Sequence, residues 1–266
     1  MSEPAPRGLL RQVALPSEHG SWAFLAEPIV LGLLVAPTVA GALVSLAAVA
    51  VFLARRPLRM VITDRRKGAR YPRTPVAEGF LAGCAVVGAL ALAGALLAAG
   101  GSFLLPLVLA APIGVVALAF DLGQRSRELA AEVAGALALA AAASGIALAG
   151  GWTPGPALAL WAILAARTVP SILYVRARLR LERRDPADVT GALLAHLAAV
   201  VLALALAWLR LAPWLAAAAM ALLAVRAAWG LSPRRPALKT WQLGVSEIAF
   251  GLVTVLAVAA GVAWRM

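Results

Sequence analysis

The sequence predicts an all-α fold, a polytopic bundle of about nine transmembrane helices, and three observations lead to this prediction. Apolar residues make up 63% of the 266 residues and charged residues only 14%, too few to cover the surface of a soluble domain. Runs of Ala, Leu, Val and Gly recur at about the 20-residue length that a helix needs to cross a bilayer. Lys and Arg cluster after every second run, as they do in multi-pass membrane proteins.

The apolar runs account for nearly the whole chain. Pro37 and Thr38 divide the first long run into two helices, and short breaks containing Gly, Pro or charged residues separate the others. Residues 1–15 contain Pro and Arg and are predicted to form a loosely ordered cytoplasmic tail. Since no linker is long or polar enough to separate domains, we expect residues 1–266 to form a single transmembrane domain. The predicted helices comprise residues 21–36, 40–54, 76–99, 103–120, 128–150, 156–175, 191–209, 213–229 and 245–264.

The distribution of basic residues predicts the orientation. Of the 24 Lys and Arg residues, 21 lie in the N-terminal tail and the connections on one side, and only Arg210 and Arg265 lie on the other. Because basic loops remain in the cytoplasm, the N-terminus is predicted inside and the C-terminus outside, in a multi-pass protein of the cytoplasmic membrane. The same asymmetry explains the net charge of +12, so membrane lipids, and not nucleic acid, are the expected partners.

The longer connections all lie on the predicted cytoplasmic side. Because loops held by a rigid bundle present their side chains freely, we expect the functional face there. These connections comprise residues 55–75, 121–127, 176–190 and 230–244.

Arg167 is the only basic residue that we expect deep inside a predicted helix. It lies eight residues before the cytoplasmic end of that helix, about 12 Å deep at a rise of about 1.5 Å per residue. Ionisable groups in the hydrocarbon are costly and therefore mark candidate sites. Pro170, one turn later, removes a backbone donor and is expected to kink the helix. Arg167 is interpreted either as a ligand-binding residue or as the partner of a buried carboxylate, for which Glu27 lies at a similar depth.

Further ionisable residues fall in the cytoplasmic half of their predicted helices. Each one alone is interpreted as an interfacial ion pair, whereas the whole set predicts a polar cavity that opens to the cytoplasm. Asp121, Arg125 and Glu128 are also spaced to share one face with Glu132 on a continuing helix. The residues of the cavity set are Glu27, Glu78, Glu132, His196 and Glu247.

Two family resemblances follow from these features. The segment Pro16-Ser17-Glu18-His19-Gly20-Ser21-Trp22, with an apolar run and a basic second connection after it, resembles the YwiC-like family of bacterial membrane proteins. That resemblance implies a bacterial integral membrane protein and carries no settled function. The plan of nine helices, with long cytoplasmic connections after the second and the sixth, resembles in architecture the UbiA superfamily of intramembrane prenyltransferases. The second resemblance implies a cavity for an isoprenoid tail beneath those connections.

The UbiA-like resemblance also implies a headgroup site, although the residues there depart from the pattern of the superfamily. UbiA-type enzymes carry NDxxDxxxD after the second helix and DxxxD after the sixth, and these carboxylates hold Mg²⁺. In this chain the first motif is occupied by Arg55, Arg56, Arg59 and Thr63, and the second, after Tyr174, by Arg178 and Glu182. Guanidinium groups repel Mg²⁺ but bind phosphate directly. We therefore predict neither a Mg²⁺ site nor another cofactor, and expect arginines to hold a phosphate-like headgroup.

The leading functional hypothesis is a protein that holds a lipophilic, isoprenoid-type molecule by an anionic headgroup in a cytoplasm-facing cavity. Transfer chemistry stays open, and Glu18, His19 or Glu27 would supply its proton transfer. Two other classes are retained, namely a small-solute or anion transporter and a non-catalytic membrane partner of another protein. The predicted substrate-binding residues are Arg55, Arg56, Arg59, Arg167, Tyr174, Arg176, Arg178 and Glu182.

Overall fold

The prediction of an all-α membrane bundle is confirmed. A computed structural model describes residue 13 and residues 19–264, with the side chains of residues 19–21 left out, and this part contains nine α-helices and no strand. The helices are α1 His19–Val35, α2 Val39–Arg66, α3 Arg73–Ala99, α4 Leu104–Leu122, α5 Leu129–Ala149, α6 Pro154–Glu182, α7 Val189–Trp208, α8 Trp214–Gly230 and α9 Thr240–Ala263.

Most of these helices are long enough to cross a bilayer. Seven of the nine in the described part, α2 to α7 and α9, have the length and the apolar composition of membrane spans. The other two, α1 and α8, have 17 residues each and reach about 25 Å at the helical rise of about 1.5 Å per residue. The chain is therefore a multi-pass membrane protein, and its apolar outer surfaces contact lipid.

Two of the predicted cytoplasmic loops are largely helical in the structure. The helix α2 continues to Arg66 and α6 continues to Glu182, which reduces the connections after them to residues 67–72 and 183–188. Arginine is a good helix former, and basic residues in a last turn interact favourably with the negative end of the helix dipole. The prediction of loops over residues 55–75 and 176–190 is therefore wrong for most of their length. Hydropathy shows where the membrane-spanning part of a helix ends, but the helix itself can continue beyond that point.

The connection between α2 and α3 is held by a buried carboxylate. Asp64 accepts hydrogen bonds from Arg73 Nη2 at 2.9 Å and from Thr74 Oγ1 at 2.8 Å, which ties the end of α2 to the start of α3. Nearby, the side chain of Val13, from the tail that we predict to be loosely ordered, is buried against Val61 and Ala77. This corner of the bundle is thus closed by both polar and apolar contacts.

The helices α5 and α6 form the centre of the bundle. Of their span segments 61% is buried, compared with 17–28% for α3, α4, α7 and α9, which present their sides to lipid. Small residues let the helices approach closely, since a Cβ atom on Gly32 of α1 or Gly41 of α2 would lie within 3 Å of Ile146 on α5. A continuous apolar core joins Leu31 of α1, Ile146 of α5, Ile163 of α6 and Val255 of α9.

The two ends of the bundle differ in charge. The connections over residues 36–38, 100–103, 150–153 and 209–213 lie at the short-connection end, where Arg210 is the only basic residue in the described part. The connections over residues 67–72, 123–128, 183–188 and 231–239 lie at the other end, which we call the basic end. Side chains tie these longer connections together, since Arg176 Nη1 donates to Arg127 O at 3.1 Å and Arg235 Nη2 donates to Leu181 O at 3.3 Å. The cytoplasmic placement of the basic end stays a prediction.

Candidate functional site

Four charged side chains from four helices meet inside the basic-end half of the bundle. We call Glu27 of α1, Arg167 of α6, Arg226 of α8 and Glu247 of α9 the charged quartet. Arg167 Nη2 lies 2.9 Å from Glu27 Oε1 and donates to the backbone oxygen of Glu247 at 2.7 Å. Arg226 Nη1 donates to Glu247 Oε1. The predicted pairing of Arg167 with Glu27 is confirmed, and the side chains of both residues are at least nine-tenths buried.

A glycine on α9 makes room for the Glu27–Arg167 contact. Gly251 lies one turn after Glu247, and a Cβ atom at this position would lie 2.1 Å from Glu27 Oε1 and 2.7 Å from Arg167 Nη2. Any side chain there would displace one of the two groups, because real Cβ atoms do not approach so closely. Sequence reasoning did not single out Gly251, because glycines are common throughout these helices.

Aromatic rings surround the second arginine of the quartet. The guanidinium carbon of Arg226 lies 4.0 Å from the centre of the Tyr174 ring and 4.9 Å from that of Phe250, both within the range of a cation–π interaction. The Tyr174 ring meets the His196 ring edge to face, with their centres 6.3 Å apart. Arg226 is therefore held in the interior by rings on one side and by a carboxylate on the other.

The tautomer of His196 follows from its backbone contact. Its Nδ1 lies 2.8 Å from the oxygen of Ala192, which can only accept, so Nδ1 carries the proton and Nε2 is an acceptor. The residue is 2% exposed, and Nε2 has no hydrogen-bond partner among the described residues.

The helix α6 carries polar residues along one face from the basic end to its middle. Arg167, Ser171, Tyr174, Arg178 and Glu182 are spaced by three or four residues and therefore align on one side of the helix. This polar stripe is about 22 Å long at the rise of about 1.5 Å per residue. At its outer end Arg178, fully buried, donates to the backbone oxygens of residues 230 and 236, and its Nη2 lies 2.7 Å from Glu182 Oε1. Arg178 thus fastens the connection between α8 and α9 to α6.

Beyond Arg167 the same face of α6 is apolar. Leu160, Ile163 and Leu164 are buried there in one core cluster with Leu31 and Val255, and their exposed fractions are at most 2%. The polar stripe therefore leads inward from the basic end and stops at the middle of the bundle.

Several buried polar atoms around the quartet have no hydrogen-bond partner within the part of the chain that the structure describes. Buried polar groups are normally paired, and leaving one unpaired costs about 1–3 kcal/mol. Glu27 Oε1 is included because its contact with Arg167, although close, is not aligned as a hydrogen bond. The atoms are Glu27 Oε1, Arg167 Nε, Ser171 Oγ, His196 Nε2, Arg226 Nε and Nη2, and Glu247 Oε2. Donors and acceptors are thus both left unfilled at one place.

The other predicted substrate-binding arginines contact separate partners. Arg55 Nη2 donates to Asp121 Oδ1 at 2.8 Å, and Arg176 Nη1 donates to Glu132 Oε2 at 2.7 Å. Arg56 and Arg59, half-buried, lie one turn apart on α2, which packs against α1, α3, α4 and α5. The structure therefore does not bring these arginines together with Arg167 around one headgroup, and their role in binding stays a prediction.

Three carboxylates near the basic end, Asp121, Glu128 and Glu132, each lie beside an arginine. Asp121 contacts Arg55 and Glu132 contacts Arg176, while Glu128 accepts from Arg125 Nη2 at 2.9 Å and holds the pKa of Arg125 above its usual value. The idea that three of these carboxylates share one face of a continuing helix is wrong, because α4 ends at Leu122 and α5 begins at Leu129. Among the described residues no group of three or more His, Cys, Asp or Glu side chains could hold a metal ion.

Two predicted catalytic residues cannot be placed at the site. Glu18 lies outside the described residues, and so does the side chain of His19, whose backbone begins α1. Glu27 is therefore the only predicted proton-transfer residue that the structure places, and it lies in the charged quartet.

Sequence reasoning missed Arg226 as an interior residue. The sequence places Arg226 near the end of the predicted helix 213–229, and the charge count assigns it to the basic connection that follows, which leaves Arg167 as the only basic residue expected deep inside a helix. In the structure the side chain of Arg226 is only 10% exposed and shares Glu247 with Arg167, so Arg226 is also an interior cation. Arg178 is fully buried as well, although it lies at the outer end of α6. The signal was present in the sequence, because the apolar run of α8 continues past Arg226 to Trp229.

A shallow depression of about 550 Å³ lies at the opposite end of the bundle. Its lining comes from the short connections and includes Thr38, Ser102 and Trp152. The hydroxyl of Thr38 already accepts from Gly41 N, and that of Ser102 donates to Leu148 O at 3.4 Å. The described residues that line this depression contribute none of the buried polar atoms without partners, and most of those atoms lie at or near the quartet.

Comparison with known proteins identifies the family of the chain. The family model described as YwiC-like protein matches residues 15–147, which is half of the chain and includes α1 to α4 and all but the last two residues of α5. No curated protein and no solved structure matches the chain. The resemblance to the UbiA superfamily therefore stays a prediction. Of the charged quartet the matched segment contains only Glu27, since the other three members follow on α6, α8 and α9. By its sequence and its membrane helices, the chain belongs to the YwiC-like family.

Proposed function

We propose that this YwiC-like protein binds a lipophilic, isoprenoid-type molecule and holds its anionic, phosphate-like headgroup at the charged quartet. The observation that carries the proposal is the pair of buried arginines, Arg167 and Arg226, whose unfilled N–H groups lie in the same part of the bundle interior. Arginine binds phosphate and carboxylate oxygens in pairs of hydrogen bonds, which are strongest where water is excluded. The tail lies between apolar helices of a single membrane domain.

The two glutamates explain how the arginines remain in the membrane without a ligand. An unpaired guanidinium in the hydrocarbon is expensive, and each arginine of the quartet is within contact of a carboxylate. Glu27 and Glu247 act as resident counter-ions, and the headgroup binds to the N–H groups that they leave free. Since the arginines supply the positive charge, the binding needs no Mg²⁺.

The one-sided polar stripe favours a binding site over a solute path. A transporter needs polar access from both sides at some stage, whereas the stripe of α6 stops at Arg167 and is followed by buried leucine and isoleucine. Transfer chemistry is not required by this arrangement. If it occurs, Glu27 beside Arg167 is the group that exchanges a proton near the headgroup.

The test removes both charges of a pair together, so that no unpaired charge remains in the interior. Protein purified in mild detergent is analysed by untargeted lipid mass spectrometry, and farnesyl diphosphate binding is measured with and without a chelator of Mg²⁺. We expect the double variant Arg167→Met with Glu27→Gln to stay folded and to lose the bound anionic lipid.

The matched control is Arg183→Met, an exposed arginine in the connection after α6, which should keep the lipid. A folded double variant that retains its lipid at the wild-type level would assign Arg167 and Glu27 to structure alone. Strict dependence of binding on Mg²⁺ would contradict the direct role of the arginines.

A further inference from the structure

The unpaired donors and acceptors at the quartet indicate which chemical group in a ligand could form hydrogen bonds with all of them. Arg167 Nε and Arg226 Nε and Nη2 are donors, which need an oxygen with free lone pairs. His196 Nε2 and Glu247 Oε2 are acceptors, which need an O–H or N–H group. A fully deprotonated oxyanion satisfies only the first set, and a cation satisfies only the second.

The charges of the quartet lead to the same requirement. Two arginines and two glutamates sum to zero when all four are ionised, and Tyr174 and neutral His196 add no charge. An anion that enters such a neutral, buried site adds an uncompensated charge, which a low dielectric strongly disfavours. The charge is compensated when a proton arrives with the anion, either on the ligand or on one of the carboxylates.

We infer that the site binds its ligand as an acid, in the form of a lipid phosphate monoester that carries both an anionic oxygen and an O–H group, together with proton uptake. This inference rests on the proposed function and names the class of headgroup. The anionic oxygens accept from Arg167 and Arg226, and the O–H group donates to His196 Nε2 or Glu247 Oε2. A phosphate diester offers the same anionic oxygens without the O–H group, so it leaves those acceptors unfilled.

The groups that face the bound headgroup come from five helices. They are Glu27 on α1, Arg167 and Tyr174 on α6, His196 on α7, Arg226 on α8 and Glu247 on α9. Among these groups only the two glutamates are anions, so changing either one to glutamine makes the site one charge more positive. The number of protons needed to balance the charge of the bound headgroup then falls by one.

Calorimetric titration with dodecyl phosphate in a non-ionic detergent tests the inference. At pH 8 the free monoester is mainly a dianion, since its second pKa is about 6. Measuring the binding enthalpy in two buffers with different ionisation enthalpies gives the number of protons taken up. We expect at least about one proton per bound molecule, by linkage between binding and protonation. We also expect binding about tenfold or more tighter than that of the diester dodecyl methyl phosphate.

The variant Glu247→Gln should take up about one proton fewer than the wild type, by the charge balance of the quartet. Glu27→Gln should act in the same way, which keeps the inference testable if one variant does not fold. The matched control is Glu128→Gln, a surface carboxylate at the basic end, which should leave the proton uptake unchanged. Titration with inorganic phosphate separates the headgroup from the tail, since only a lipid site binds the dodecyl ester more tightly.

Each outcome separates this inference from the proposed function. Binding of dodecyl phosphate without proton uptake, or equal uptake in the wild type and both glutamine variants, overturns the inference and leaves the proposed function standing. Equal affinity for the monoester and the diester also overturns it. Absence of binding for all three probes overturns the proposed function itself.

Discussion

The charged quartet and two groups of ion pairs near the basic end, Arg55 with Asp121 and Asp64 with Arg73, are built from the same residue types and differ in how many of their buried polar atoms have hydrogen-bond partners. Arg55 with Asp121, and Asp64 with Arg73 and Thr74, form hydrogen bonds that occupy both partners. In the quartet, by contrast, each of the four side chains has at least one buried polar atom with no partner among the described residues. Both arrangements join helices, but only the second leaves donors and acceptors available in the interior.

This difference separates a structural ion pair from a candidate binding site. Closed pairs at the ends of helices are expected to contribute mainly to stability, because their buried carboxylates already accept hydrogen bonds from neighbouring side chains. An open cluster of charges among apolar helices carries an energetic cost, and this cost favours a functional role. The following variants break or sharpen this comparison, in order of decreasing expected effect.

The variant Arg167→Met should be the most destabilising, because it leaves Glu27 buried without its partner. Removing one member of a buried pair typically costs about 3–5 kcal/mol, and adding Glu27→Gln should restore most of that loss. Unfolding of the single and double variants in a denaturing detergent measures both values. Equal stability of the two variants would show that Glu27 and Arg167 do not depend on each other.

The variant Gly251→Ala should destabilise the protein by about 1–3 kcal/mol, because its methyl group overlaps Glu27 and Arg167. Since the overlap moves the quartet itself, we expect lipid binding to fall along with stability. Gly244→Ala on the same helix is the control, since a Cβ atom there meets nothing within 4 Å. If both alanine variants bind lipid as the wild type does, the geometry of the quartet is not needed for binding.

The variant Asp121→Ala should lower stability by about 1–2 kcal/mol without changing lipid binding. Asp121 is buried, but its partner Arg55 is 36% exposed and reaches water once the carboxylate is gone. Thermal unfolding and lipid mass spectrometry on the same sample check the two parts of this prediction. Loss of lipid from a stable Asp121→Ala protein would indicate that Arg55 takes part in lipid binding.

The variant Glu78→Gln should have the smallest effect, within about 0.5 kcal/mol, because its partner Arg65 is 70% exposed. Its lipid content should equal that of the wild type. A large loss of stability would mean that the surface pairs of the basic end hold the bundle together more strongly than exposed ion pairs usually do.

The architecture could be predicted closely, whereas the site could be predicted only in part. All nine predicted helices begin within five residues of the observed ones, because a bilayer demands runs of apolar residues that are visible in any sequence. The pairing of Glu27 with Arg167 was accessible as well, since an interior arginine needs a carboxylate at similar depth. The ends of α2 and α6 could not be predicted from the sequence, because arginine is compatible with both a loop and a helix.

The sequence by itself determined that this chain is an all-α, multi-pass membrane protein of the YwiC-like family with its basic residues gathered at one end. Hydrophobicity and charge are properties of segments, so they are readable without coordinates. The predicted orientation can be tested with a reporter protein fused after Met266, which we expect to be located outside the cytoplasm.

Apart from the pairing of Glu27 with Arg167, only the tertiary structure decided which charges meet. Arg226 of α8 joins the quartet through Glu247, and Gly251 of α9 leaves space for the contact between Glu27 and Arg167. Both depend on how α8 and α9 pack against α1 and α6. Likewise, Arg178 fastens a connection, and Arg55 and Arg176 face carboxylates of their own. Contacts between helices depend on the rotation and depth of each helix relative to its neighbours. Those quantities are set by the packing of many small side chains and cannot be read from any one segment.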